Sequence, residues 1–382
     1  MNRNSDLRSQ SLDMLRFPLA VVVLIVHTIP QELILYGNSV QSDNMPILLA
    51  MRSFVRAFLT DQSVPVYFFI SGFVFFLGGQ LSSQIYVRKM KNRFKSLFIP
   101  YIIWNIIALF SKLAVFFPCL SFIFKNAYKK QLDVRMSTFL YELWDASKGM
   151  VIEPEILSAP PSPILTNEIF PADTPLWFVR DLMIVAISTP VLYWLLKRTR
   201  HYLVLTLGLL WFYSDLLWGH ANQLITAYFF FSFGAYMSIN GKDMLQVFGR
   251  YFKVSILAYF LLGATYMVAS DYYPEACDII KKMNVFAGLL FAYNLAAWLL
   301  QKRICKISPF LASSSFFIYV SHFMICIHMP KLFYLLFHPM TDIGVTAIYI
   351  LSVVFTLALL LSVYYLMRRF TPKFLKVITG RK

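Results

Sequence analysis

The chain has 382 residues, of which 58% are hydrophobic, 17% aromatic and only 14% charged. Its mean hydropathy is +0.62. Soluble domains hold about 25% charged and about 45–50% apolar residues, so this balance excludes an ordinary soluble globular fold. The net charge of +16 does not mark a nucleic-acid binder. The basic residues gather at the ends of apolar runs, and no soluble basic domain or nucleic-acid motif is present.

Several apolar runs reach the roughly 18 residues that a spanning helix needs. The expected fold is all-α: a polytopic integral membrane protein forming one domain over 1–382. Residues 1–13 are polar and carry Arg3 and Arg8. The first apolar run is too long for a cleaved signal peptide and lacks a small-residue cleavage site, so it is expected to stay as the first span.

Helix 1 is expected at 14–36, with Pro18 near its first turn, where a missing N–H is tolerated. A polar-amphipathic connector with Arg52 and Arg56 follows at 37–62. Helix 2 is expected at 64–80. The run Arg88-Lys-Met-Lys-Asn-Arg-Phe-Lys95 comes next, and helix 3 at 96–117. Residues 118–174 read as a long outer loop, with an interfacial helix allowed in its first half and a Pro-rich irregular second half. Helix 4 is expected at 175–196, ended by Lys197-Arg-Thr-Arg200. Helices 5 and 6 are expected at 202–218 and 222–239, around the turn Gly219-His-Ala-Asn222. Helices 7 to 10 are expected at 254–270, 283–300, 310–330 and 343–367, before a basic tail, 368–382. That is about ten spans. Alternating sides from an inner N-terminus puts most Lys and Arg inside and few acids there, which selects N-in, C-in. Cys119, Cys277, Cys305 and Cys326 show no CxxC and no metal spacing, so no metal is expected. Cys119 and Cys277 both fall on outer segments, where a disulfide is allowed.

Two histidines stand inside apolar runs. Arg16 and His27 are eleven residues apart in helix 1, close to three turns, so both point the same way. An ionisable residue inside a span is expensive unless it faces a polar interior, which reads as functional; a histidine bonded between helices is the structural alternative. In helix 9, Ser315, Tyr319 and His322 stand at i, i+4 and i+7, one stripe of a helix. Such a stripe also glues helices together in membranes, as does the pair Ser71-Gly72 in helix 2. Counted from the outer ends at 1.5 Å per residue, His27 and His322 lie roughly 12–13 Å deep, Ser71 roughly 10 Å and Arg180 roughly 8 Å. Four polar residues on four helices thus fall in one layer. His201, His220 and His338 sit at span ends or in loops, and His328 near the outer edge. The run Arg88 to Lys95 serves either as a topology anchor on anionic lipid or as a clamp for a phosphorylated ligand.

Taken together, these motifs resemble the membrane acyltransferase-3 family, bacterial proteins of about ten spans that O-acylate envelope molecules. The family's helix 1 signature matches Arg16 and His27. Its Phe-x-x-Ser-Gly-Phe signature matches Phe68-Phe-Ile-Ser71-Gly72-Phe73, after Val64-Pro65. The basic run ending in proline matches Arg88, Arg93 and Pro100, the Trp-Phe pair opening a span matches Trp177-Phe178, and Ser-x-x-x-Tyr-x-x-His matches Ser315, Tyr319 and His322. The order runs through nearly the whole chain. Phe17-Pro18 stands where the family often has glycine, and the looser basic run favours Arg93 over Arg88. No hydrolase-like domain follows helix 10, which implies the stand-alone form.

The resemblance implies a cytoplasmic acyl-CoA donor as co-substrate, acetyl-CoA by the family's habit, and no cofactor. It implies a glycan or glycolipid hydroxyl as acceptor at the outer side of the bacterial cytoplasmic membrane. His27 would act as general base, with Arg16, Ser71, Tyr319 and His322 completing the catalytic set. Arg93, with Arg88 and Lys95, would hold the CoA phosphates, and Arg180 and Trp177 would contact acceptor or oxyanion. A covalent acyl-His intermediate fits equally well. The rival expectation is a transporter or flippase of a glycan precursor or small carboxylate, which buried His and Arg also suit. Against it, no paired inverted repeat and no Gly/Pro-broken helix pair is visible in the sequence.

Overall fold

The computed structural model describes residues 3–29, 33–35, 38–39, 45–113, 131–132, 135–152, 169–218, 223–270 and 272–381. Cys119, the turn 219–222 with His220, Asp271 and the middle of the 118–174 loop lie outside the described residues. The described chain is helical apart from two antiparallel ladders of two residues per strand, β1 (Ile34–Leu35) with β2 (Asn38–Ser39) and β3 (Gln131–Leu132) with β4 (Val151–Ile152). In chain order the helices are α1 (Arg3–Thr28), α2 (Pro46–Phe58), α3 (Ser63–Phe75), α4 (Ser83–Leu113), α5 (Met136–Glu142), α6 (Thr174–Ile187), α7 (Thr189–Thr199), α8 (His201–Phe212) and α9 (Ser214–Trp218). They continue as α10 (Gln223–Ile239), α11 (Met244–Gly249), α12 (Phe252–Ala269), α13 (Pro274–Gln301), α14 (Pro309–Ser321), α15 (Phe323–Phe337), α16 (Asp342–Phe370) and α17 (Pro372–Thr379).

Among the described residues, six helices are long and apolar enough to cross a membrane, and eight if each of two bent pairs counts as one span. The bends are 64° between α6 and α7 and 59° between α14 and α15. The two further expected spans, α8 and α10, are shorter apolar helices.

Several boundaries move. Helix 1 starts at Arg3, so Pro18 lies well inside it rather than near its first turn. It stops at Thr28, before the residue that precedes Pro30, a position proline steers out of helix. The expected connector at 37–62 contains α2, whose Arg52 is buried. α3 ends at Phe75 instead of 80, and the chain then turns through Gly78 and Gly79, both at positive φ, which glycine adopts without strain. The basic run is no linker: it forms the first part of α4, followed by a π-helical turn at Phe94–Phe98. Helices 4 and 9 are both broken.

The described chain falls into two compact units. The first comprises Met1–Val26, Ala50–Asn92 and Asp181–Phe316, and the second His27–Leu49, Arg93–Arg180 and Phe317–Lys382. In the first unit α3 and α10 touch backbone to backbone. A Cβ on Gly72 would lie 2.0 Å from Phe231 O, and one on Gly234 would lie 2.1 Å from Phe69 O, so neither position admits a side chain. α12 and α13 pack around Phe58, Tyr259 and Phe291. The Tyr259 hydroxyl donates to Phe58 O at 2.5 Å and Asn284 Nδ2 to Ala57 O at 3.0 Å.

In the second unit, the Asp342 carboxylate accepts from the Ile47 and Leu48 amides at 2.6 and 3.0 Å, capping α2. α15 packs on α16 through Phe333 and Phe355. The Trp104 indole donates to Ile378 O at 2.9 Å, fixing α17 onto α4. Glu142, at the end of α5, is buried and accepts from the Met150 amide at 2.8 Å and from Lys112 at 3.3 Å.

Candidate active site

The second unit brings the two intramembrane histidines together. His27 ends α1 and His322 occupies the break between α14 and α15. Their ring centroids are 5.3 Å apart, with planes inclined by 40°. His322 is fully buried. The Phe323 ring meets His27 edge-on, with centroids 5.3 Å apart and planes at 83°.

The bond made by His322 Nδ1 settles which of its nitrogens carries hydrogen. Nδ1 lies 2.7 Å from Tyr319 O. A carbonyl oxygen only accepts, so Nδ1 holds the proton and donates, and in the neutral ring Nε2 is left as an acceptor. Nε2 is buried and has no partner among the described residues. The Tyr319 side chain locks the same turn from the other side. Its hydroxyl donates to Pro175 O in the first turn of α6, and its ring meets Phe178 edge-on at 5.8 Å. Cys326, on the first turn of α15, donates its amide to His322 O at 2.8 Å, and its Sγ–H faces His27 O at 3.9 Å.

Two buried polar residues join this region that the sequence reading left out. Asn105 lies on α4 and donates Nδ2 to Tyr101 O at 2.8 Å, while its Oδ1 accepts the Asp173 amide at 3.0 Å. Asp173, the residue before α6, is 1% exposed, and neither of its carboxyl oxygens has a partner among the described residues. Burial pushes its carboxyl well above the usual carboxylate range, against the opposing charge of Lys112. A signal for both was present: an amide within an apolar helix, and an acid immediately before the Trp177-Phe178 pair.

The other expected site residues are more dispersed. Arg180 is buried in the second unit, but its guanidinium donates to Ile169 O at 2.7 Å and Trp144 O at 3.2 Å and lies over the Trp144 ring. These contacts tie down the segment around Trp144 and Ile169. Trp177 is half-buried at the start of α6. Arg93, half-buried, and Lys95, exposed, lie on α4 in the second unit.

Arg16, Ser71 and Arg88 belong to the first unit. Arg16 is half-exposed and pairs with Asp13 at 3.2 Å, while its carbonyl accepts the Tyr67 hydroxyl at 2.7 Å. Ser71 is half-buried beside Gly72, and Arg88 is exposed. Ser315, on the same helix as Tyr319, spends its hydroxyl on Leu311 O at 3.0 Å and Ala312 O at 3.2 Å. Among the described residues no group of three or more His, Cys, Asp or Glu is placed to hold a metal ion.

An acceptor nitrogen, a second imidazole and a buried carboxyl are groups able to move protons. The chain is 24% identical over 346 residues to the succinoglycan biosynthesis protein ExoH of Rhizobium meliloti (strain 1021), covering 87% of this chain and 83% of that protein. No solved structure matches. A family model described as an acyltransferase domain matches residues 9–367. On that match, which takes in both histidines and every helix from α2 to α15, the chain belongs to the acyltransferase-3 family.

Proposed function

We propose that the protein moves an acyl group, acetyl in the simplest case, from cytoplasmic acyl-CoA to a hydroxyl of a cell-envelope glycan. It would do so from ten spans in the bacterial cytoplasmic membrane, with both termini inside. The family supports acyl transfer, and a relative named for succinoglycan biosynthesis supports a glycan acceptor. The observation that carries the reading is the His27–His322 pair, in which His322 Nε2 is buried without a partner among the described residues.

In this reading neutral His27 takes the proton of the acceptor hydroxyl as its oxygen attacks the thioester carbon. Two imidazoles this close hold one proton between them more readily than two, because like charges repel. His322 Nε2 then shares the proton, and Tyr319 keeps that ring in its donating tautomer. Arg93, with Arg88 and Lys95, takes the phosphates of CoA, since guanidinium matches phosphate geometry. Arg180 and Trp177 are assigned to acceptor or oxyanion contact, and Arg16 and Ser71 enter the catalytic set on the family signatures alone. The inside location of the basic run rests on the positive-inside bias.

The test is mass spectrometry of surface glycans from cells with the intact gene, without it, and with His27→Ala. The intact gene adds one acyl mass to the repeating unit, and His27→Ala removes it while the protein remains folded in membranes. Full acylation by His27→Ala ends the base assignment. A glycan changed in amount but not in mass points instead to a transporter or flippase.

A further inference from the structure

In the second unit, the buried side-chain atoms without a partner among the described residues are Asp173 Oδ1 and Oδ2, His322 Nε2 and Thr356 Oγ1. Three of these atoms belong to two residues, and the two are chemically complementary. His322 Nε2 is an acceptor, as its Nδ1 bond requires. Asp173 is buried and neither carboxyl oxygen has a partner among the described residues to offset a charge, so the carboxyl keeps its proton and offers one O–H. Its backbone amide bonds Asn105 Oδ1 and its backbone carbonyl accepts the Leu176 amide at 2.9 Å, which leaves the acid group unspent among the described residues.

The chain fixes this acid next to the histidine-bearing turn. Two residues after Asp173, Pro175 O receives the Tyr319 hydroxyl, and Tyr319 O receives the His322 Nδ1–H. Cys326 bonds His322 O through its amide and turns its thiol to His27 O. On α4, Trp104 packs edge-on against Phe317 at 5.9 Å, and its neighbour Asn105 holds the Asp173 amide. Helices α4, α6 and α14 thus converge on one turn.

We propose that Asp173 is the general acid of the transfer, protonating the departing sulfur of the acyl thioester. This rests on the acyl-transfer reading above. As the acceptor O–H bond breaks, its proton goes to His27 and its oxygen bonds the acyl carbon. The C–S bond breaks, and the sulfur leaves as a thiol with the proton of Asp173. An imidazolium and a carboxylate remain. Return of the proton from His27 to Asp173, by way of His322 Nε2, restores both. The site carries no net charge before or after the step, so neither ion is left uncompensated in a buried place.

The experiment uses the full chain in detergent or nanodiscs, acetyl-CoA as donor and membranes of cells lacking the gene as the source of unmodified acceptor. Released thiol and glycan-bound acetyl are both counted. Asp173→Asn keeps the shape and neutrality of the protonated acid but has no acidic proton. It is expected to lower kcat by about 100-fold or more, the usual range for a general acid, with the KM for acetyl-CoA and the folded yield unchanged. Asp173→Ser, which shrinks the group instead of swapping it, is expected to show the same split and keeps the test open should Asp173→Asn not fold. A rate within about threefold of wild type in either variant overturns the assignment, as does a loss confined to KM or to folded yield. A wild-type protein that transfers no acetyl group fails the acyl-transfer reading itself. A wild-type protein that transfers, matched by Asp173→Asn, fails only the role of Asp173.

Discussion

The contact of α3 with α10 in the first unit and the histidine turn in the second use similar sequence material to opposite ends. Both are built from small and polar residues inside apolar helices. At Gly72 and Gly234 the absence of side chains lets two backbones meet, and the contact leaves no room for anything else. Around His322 the same kind of stripe holds a ring in place through Nδ1 and leaves Nε2 open. Each region holds a buried polar atom without a partner among the described residues, Ser232 Oγ beside Gly234 and His322 Nε2, and they differ in chemistry: the first is a hydroxyl, the second a nitrogen that can accept a proton.

That contrast is open to breakage. His322→Ala carries the largest expected effect, a loss of about 10²–10⁴-fold in acyl transfer, the span of a general acid–base group, with folded yield kept. Glycan mass spectrometry together with size-exclusion of the purified protein reads both. Yield falling in step with transfer would make His322 a joint after all. Gly72→Val should do the reverse. Its Cβ would sit 2.0 Å from Phe231 O, so the helices must part, at about 1–3 kcal/mol, seen as a lower melting temperature. An unchanged melting temperature would deny the close approach.

Tyr319→Phe removes the hydroxyl from Pro175 O while the His322 Nδ1 bond, made to backbone, survives. About 1 kcal/mol of stability and a modest loss of rate are expected from thermal melts and transfer assays. The smallest effect concerns pH. The folded carboxyl of Asp173 titrates above its unfolded value of about 3.9. Its contribution to stability is therefore complete below that value and is lost as pH rises through the folded one. Wild-type melting temperature should decline across that window more steeply than that of Asp173→Asn. Parallel melting curves against pH would mean that the acid is solvated.

Much of this was legible in the residues. Apolar runs of spanning length foretold the helices, and the Arg16–His27 and Ser315–Tyr319–His322 spacings pointed to α1 and α14. Two things were hidden. The breaks at Ser188 and His322 were not foreseen, because hydropathy is continuous across them and the break at His322 contains no proline. The helical character of 46–58 and of the basic run was missed because Arg52, Arg56 and Arg88 to Lys95 lowered the apolar signal. Helix formation tolerates those residues well, since their long stems lose little freedom there. Arg180 was read as a layer residue on depth alone. Depth says nothing of direction, and its guanidinium spends itself on the Trp144 and Ile169 carbonyls. Asp173 and Asn105 escaped because each is a single polar residue, and only the fold brings them into one bond.

The 59° angle between α14 and α15 has its vertex at His322. A ring mounted on a vertex swings when either arm swings, whereas a ring in mid-helix would ride along unchanged. Any molecule that straightens or sharpens this elbow therefore re-aims Nε2 directly, without a relay of side chains.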